Sequence, residues 1–144
     1  MTPKTFVPAG QTAPASQIGA TMEALSATIA ARRAAGEESY THRLLTASPD
    51  VVLKKVMEEA GEVALAAKDV ESWAVQGPDE YGQAVDHLRY EAADVVYHLL
   101  VVLERYGIGI DEFAAELNER MTDEERPAGA VRLRTGCVNR GKES

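Results

Sequence analysis

Two short acidic runs carry the densest chemistry in the chain: Glu58-Glu59-Ala60-Gly61-Glu62 and Glu91-Ala92-Ala93-Asp94. On a helix, acids three or four residues apart share one face a turn apart, so each run can aim a pair of carboxylates at a common point. Gathering four or five carboxylates away from water without a counter-charge is prohibitive, and a divalent cation removes the difficulty. Oxygen donors without a Cys or His cluster favour magnesium, or manganese, over zinc. Magnesium keeps waters and bridges substrate phosphates, so such a site predicts a phosphorylated small-molecule substrate. Glu59, Glu62, Glu91 and Asp94 would then hold the metal. Glu58 would share in this or orient the water that attacks phosphorus.

The plainer alternative is that Glu-x-x-Glu marks a solvated helix face, as paired acids usually do. The second run weighs against it, because Glu91 and Asp94 sit on the most apolar helical stretch of the chain, and acids in buried bundle helices typify metal sites. Lys55, one turn before the first acids, could contact a phosphate or form an i to i+4 ion pair with Glu59. Arg43 is a further phosphate candidate. His98, four residues after Asp94, reads as a satisfied core histidine. Asn118 and Arg120 could reach a phosphate, but a surface role is the simpler reading. Cys137, the one cysteine of the sequence, reads as a free bystander thiol.

The elements that must position these groups are helical. Ile18, Met22, Leu25 and Ile29 recur at helical spacing over 16–35, a helix ended by Gly36. Ser48-Pro49-Asp50 supplies start signals for a second helix over about 50–68. Val52, Leu53, Val56, Met57, Ala60, Val63, Ala64 and Ala67 fill its broad apolar face, beside a ridge of Lys55, Glu58, Glu59 and Glu62. Residues 70–86, with Gly77-Pro78 and Gly82, read as an irregular connection. A third helix over 87–106, closed by Gly107, is apolar nearly all round except for the stripe Glu91, Asp94 and His98. Such a helix is normally buried by several neighbours. A fourth helix is expected over 110–121, with Asp111 and Glu112 at its start. Residues 1–15 read as a disordered tail, 16–121 as the domain and 122–144 as a flexible tail. With no strand pattern, the fold class is all-α, like a four-helix bundle.

Composition sets the bounds. With 23 acidic and 15 basic residues among 144, the formal charge is −8, which argues against broad phosphate neutralisation and therefore against a general nucleic-acid binder. No long uncharged apolar run and no secretory h-region occurs, so no membrane partner is expected and a cytosolic protein is.

The strings SYTHRLL, DVVLKKVMEEAGEVALAAKD and EAADVVYHLLVVLERYGIGIDEF, in that order over about residues 25–117, resemble the phosphoribosyl-ATP pyrophosphohydrolase family. That family belongs to the all-α, MazG-like nucleoside triphosphate pyrophosphatases. The resemblance implies magnesium-dependent hydrolysis of the α–β phosphoanhydride of phosphoribosyl-ATP to phosphoribosyl-AMP and pyrophosphate, in histidine biosynthesis. Glu59, Glu62, Glu91 and Asp94 match its metal ligands, Glu58 its extra acid and Lys55 its basic residue. It also implies a homodimer or higher homo-oligomer, which would cover the third helix. Two departures stand out. Arg43 occupies the usual lysine of SYT-x-K-LL, and the connection 69–89 is long. A house-cleaning pyrophosphatase acting on free nucleotides, or a non-catalytic helical scaffold, are the alternatives.

Overall fold

Local signals in the chain set most helix starts. In the computed structural model, which describes residues 16–74 and 76–133, α1 spans Ile18–Ala31 and runs on into a 3-10 turn, Arg32–Ala34. The short α2, Tyr40–Thr46, begins at Ser39, whose hydroxyl accepts the His42 backbone N–H at 3.3 Å. Helix α3, Pro49–Trp73, starts with Pro at its first position and Asp50 in its first turn, both suited to a helix N-terminus. Helix α4, Pro78–Arg105, repeats this with Pro78, Asp79 and Glu80. Helix α5, Ile110–Asn118, has the Glu112 carboxylate accepting the Gly109 N–H at 2.8 Å. No strand occurs among the described residues, and no helix there is long and apolar enough to cross a membrane.

The chain divides into two compact units, Met1–Arg105 and Tyr106–Ser144. Between α4 and α5, Gly107 takes φ +69°, a left-handed conformation that glycine adopts without steric cost and that commonly ends a helix. In the first unit α3 and α4 pack along their length as a helical hairpin. Helices α1 and α2 lie against α4, and α2 also touches α3. In the second unit the residues after α5 fold back on it. Nδ2 of Asn118 donates to the Val131 carbonyl at 2.9 Å, and Arg132 pairs with Glu119. Part of the stretch read as a flexible tail is thus held by hydrogen bonds. Asn118 is buried and serves packing rather than the surface, whereas Arg120, just past α5, is exposed and bonded back to Glu116. Residues 1–15 and Cys137 lie outside the described residues.

Three elements differ from the sequence reading. The expected irregular connection 70–86 is helix over 70–73 and 78–86, because Pro78 opens α4 instead of breaking it, and α3 runs on to Trp73. The longer hairpin carries a cleft of about 230 Å³ lined by Asp69, Trp73, Glu80, Gln83 and Ala84. Helix α2 was not expected, which makes five α-helices among the described residues instead of four. It is held by distant groups: Leu44 and Leu45 are buried, each worth roughly 1.5–3 kcal/mol, and Arg105 donates to the carbonyls of Leu44 at 2.8 Å and Ala47 at 2.6 Å. A helix this short could not persist on its own hydrogen bonds. Finally, the apolar face of α3 divides. Val52 is buried, while Leu53, Met57, Ala60 and Ala64 are exposed, and Ala66, outside the expected face, is buried.

The α3–α4 seam follows a seven-residue rhythm. Buried positions on α3 are Val52, Glu59 and Ala66, and on α4 they include Ala84, Glu91 and His98. A repeat of seven keeps one stripe of each helix facing its partner, as in a coiled coil. Three of those six positions are occupied by Glu59, Glu91 and His98. A coiled-coil seam ordinarily holds apolar residues there, so the centre of this one is chemical as well as structural.

Candidate active site

The carboxylates of Glu59, Glu62 and Glu91 converge from α3 and α4, with an oxygen of each within 4.8 Å of the others. Glu59 and Glu91 are 6% and 7% exposed, and Glu62 opens toward solvent. Burial first, then the hydrogen bond with Glu62 and the charges of Glu62 and Asp94, pushes the Glu59 carboxyl above its ordinary range, against the pull of Lys55. Burial and the Glu62 charge likewise raise Glu91, with His87 opposing. The elevation is the physical signature of too much negative charge in too little solvent. An oxygen donor set with this surplus fits a hard divalent cation.

The expected ligand Asp94 sits at the rim of this group. Its charge acts on both Glu59 and Glu91, but it is not among the three whose oxygens converge. The reason is the phase of the seam: Glu91 and His98 occupy buried positions of α4 and Asp94 falls between them, half-buried. Glu58 lies outside the group. It is exposed and paired with Lys55 at 3.3 Å and Lys54 at 3.5 Å, and the Lys55 hydrogen bond holds its carboxyl low.

Basic side chains border the acids without neutralising them. Nζ of Lys55 is 3.8 Å from Glu59, and Nε2 of His87 is 3.4 Å from Glu91. Both alternatives raised for Lys55 are open in this geometry, since the ion pair exists and the amine remains partly exposed. Arg43 extends from α2, its guanidinium donating to the Glu37 carbonyl at 2.5 Å and lying 6.0 Å from the centre of the Tyr40 ring.

His98 is 5% exposed and satisfied at both nitrogens, Nδ1 toward the Asp94 carbonyl at 2.9 Å and Nε2 toward the Tyr40 hydroxyl at 3.1 Å. It is therefore the core histidine the sequence suggested, but placed against the site, with Nδ1 3.9 Å from Glu59. Tyr40, Thr41 and Tyr97 were not singled out beforehand. Thr41 is hydrogen-bonded to Tyr97, and the Tyr97 ring meets His98 edge to face. Their only signal in the sequence was the string SYT next to a distant Tyr-His pair.

Residues 22–121 match the family model described as phosphoribosyl-ATP pyrophosphohydrolase. A phosphoribosyl-ATP pyrophosphatase of Methylobacterium nodulans is 43% identical over 79% of this chain and 95% of its own. One of Paracidovorax citrulli is 38% identical over 75% of each. The histidine biosynthesis bifunctional protein HisIE of Thermus thermophilus is 44% identical over 58% of this chain and 33% of its own. No solved structure matches.

Proposed function

The chain belongs to the phosphoribosyl-ATP pyrophosphohydrolase family, a hydrolase of histidine biosynthesis, and we propose that it cleaves phosphoribosyl-ATP on the carboxylate seam of α3 and α4. The observation that carries this reading is the convergence of Glu59, Glu62 and Glu91 within 4.8 Å, with Glu59 and Glu91 at buried positions that a plain helical hairpin would fill with apolar residues.

Glu59, Glu62 and Glu91 would hold magnesium, with manganese as a substitute, and Asp94 would join from the rim. The bound ion would neutralise the pyrophosphate oxygens and stabilise charge on the departing group. Lys55 and Arg43 would bind phosphate oxygens, adding positive charge where the protein itself is acidic. Glu58, already ionised beside Lys55, would orient the attacking water and accept its proton. Water adds to the α-phosphorus, the α–β bridging bond breaks, and the products are phosphoribosyl-AMP and pyrophosphate.

We further assign the chain to a homo-oligomer in the cytoplasm. Met57 and Leu65 are 77% and 68% exposed on α3, beside exposed Ala60, Gly61 and Ala64. A contiguous apolar patch of this kind marks an association surface. The single cysteine suits a reducing compartment.

The test is a substrate panel. Purified protein with magnesium is given phosphoribosyl-ATP, ATP, dCTP or dUTP, and pyrophosphate is followed. The expected result is a clear preference for phosphoribosyl-ATP, and a preference for a free nucleotide would overturn the assignment.

A further inference from the structure

His98 connects parts of the site that do not touch each other. A carbonyl can only accept a hydrogen bond, so Nδ1 of His98 carries the ring proton and donates to the Asp94 backbone at 2.9 Å. In the neutral ring Nε2 is then the acceptor, facing the Tyr40 hydroxyl at 3.1 Å. The two rings meet edge on, with centroids 6.2 Å apart. Tyr40 opens α2, and its ring lies under the Arg43 guanidinium at 6.0 Å. A continuous path thus runs from the Asp94 turn of α4, through the imidazole and the phenol, to the cation on α2.

We propose that His98 is a positioning residue that sets where Arg43 stands relative to the carboxylate cluster, with the Tyr40 ring as the link. A buried histidine whose two nitrogens are both committed has one ring orientation and one tautomer. The Tyr40 hydroxyl can meet that acceptor only with α2 in one position against α4. Arg43 is exposed and carried on a seven-residue helix, and besides its hydrogen bond to the Glu37 carbonyl the Tyr40 ring is the contact that ties its placement to α4. The inference rests on the reading that Arg43 holds a substrate phosphate.

The experiment is a double-mutant cycle combined with spectroscopy. His98→Leu and Tyr40→Phe are each expected to raise KM for phosphoribosyl-ATP roughly tenfold, the loss of about one good hydrogen bond's worth of positioning. The effect on kcat is expected to be smaller. Adding either change to Arg43→Ala should cost little more than Arg43→Ala alone, although His98 and Arg43 are not in contact. His98→Gln, which can still donate and accept, should recover most of the loss. Tyr40→Phe keeps the ring and its packing, and so remains informative if His98→Leu fails to fold. Independently of turnover, ring 15N shifts should show the proton on Nδ1 and a bare Nε2 that responds to Tyr40→Phe. Mn²⁺ binding by electron paramagnetic resonance should stay nearly unchanged.

Additive effects of His98 and Arg43, a fall in kcat at constant KM, or a proton on Nε2 would each overturn the coupling. If the wild type instead prefers a free nucleotide, the substrate assignment fails by itself. The same cycle is then run on that nucleotide and decides the role of His98 separately.

Discussion

Nζ of Lys55 stands 3.8 Å from Oε1 of the buried Glu59 and 3.3 Å from Oε2 of the exposed Glu58. One cation therefore borders both an acid of the convergent group and the acid beside it. It lowers the carboxyls of both, but a single positive charge cannot balance Glu59, Glu62, Glu91 and Asp94 together. The surplus that remains is what a divalent ion would remove, and the predictions below follow from it.

Replacing Lys55 by Ala removes the group proposed to bind phosphate. KM for phosphoribosyl-ATP is expected to rise roughly tenfold, as for the loss of one charge-assisted hydrogen bond. Titration of Glu59 by carbonyl 13C NMR in the metal-free variant should also move upward, because the lysine's pull is gone. An unchanged KM would remove Lys55 from the binding machinery.

Glu91→Gln relieves a buried like-charge contact while deleting a proposed metal ligand. The metal-free variant should melt no lower than the wild type, since a well-placed neutral amide replaces a carboxyl that burial and Glu62 disfavour. Thermal unfolding with and without magnesium checks both parts. The rise in Tm on adding magnesium should be largely lost, and an undiminished rise would show that the ion binds elsewhere.

The same groups fix a pH dependence. Glu59 and Glu91 have folded pKa values raised above those of the unfolded chain, so their contribution to stability is fully present below the unfolded value, about 4.3, and is lost as pH rises through the folded values. Comparing the metal-free wild type with Glu91→Gln isolates this effect from carboxyls shifted the other way. The wild type should gain on the variant as pH falls from neutral. Magnesium stabilisation should weaken over the same range, because protons compete for the ligands. A wild type that loses ground to the variant on acidification would contradict the raised values.

Met57→Glu and Leu65→Glu place charges in the exposed apolar patch of α3. Light scattering after gel filtration should show the wild-type assembly dissociating in either variant, since burying each wild-type side chain is worth roughly 1.5–3 kcal/mol. A wild type that is monomeric at every concentration would refute the proposed association.

Much of the site could be read from spacing alone. Three-residue steps put Glu59 with Glu62, and two separate runs suggested two helices meeting at them. Spacing did not give the phase of the seam. That Glu59, Glu91 and His98 are buried while Asp94 is left at the rim follows from how α3 and α4 pack. Helix α2 was illegible for a related reason: its supports, Arg105 and the buried surroundings of Leu44, lie far away in sequence. Pro78 was ambiguous locally, since proline breaks a helix interior and begins a new helix equally well.

The most direct measurement of the central claim is magnesium-dependent pyrophosphate release from phosphoribosyl-ATP, by the wild type beside Glu62→Gln and Glu91→Gln proteins shown by circular dichroism to be folded. The convergent carboxylates predict one pyrophosphate and one phosphoribosyl-AMP per substrate from the wild type, and a loss of about a hundredfold or more in each variant, as expected when a group that holds the catalytic ion is removed. Wild-type rates retained by the folded variants would contradict the placement of the reaction at Glu59, Glu62 and Glu91.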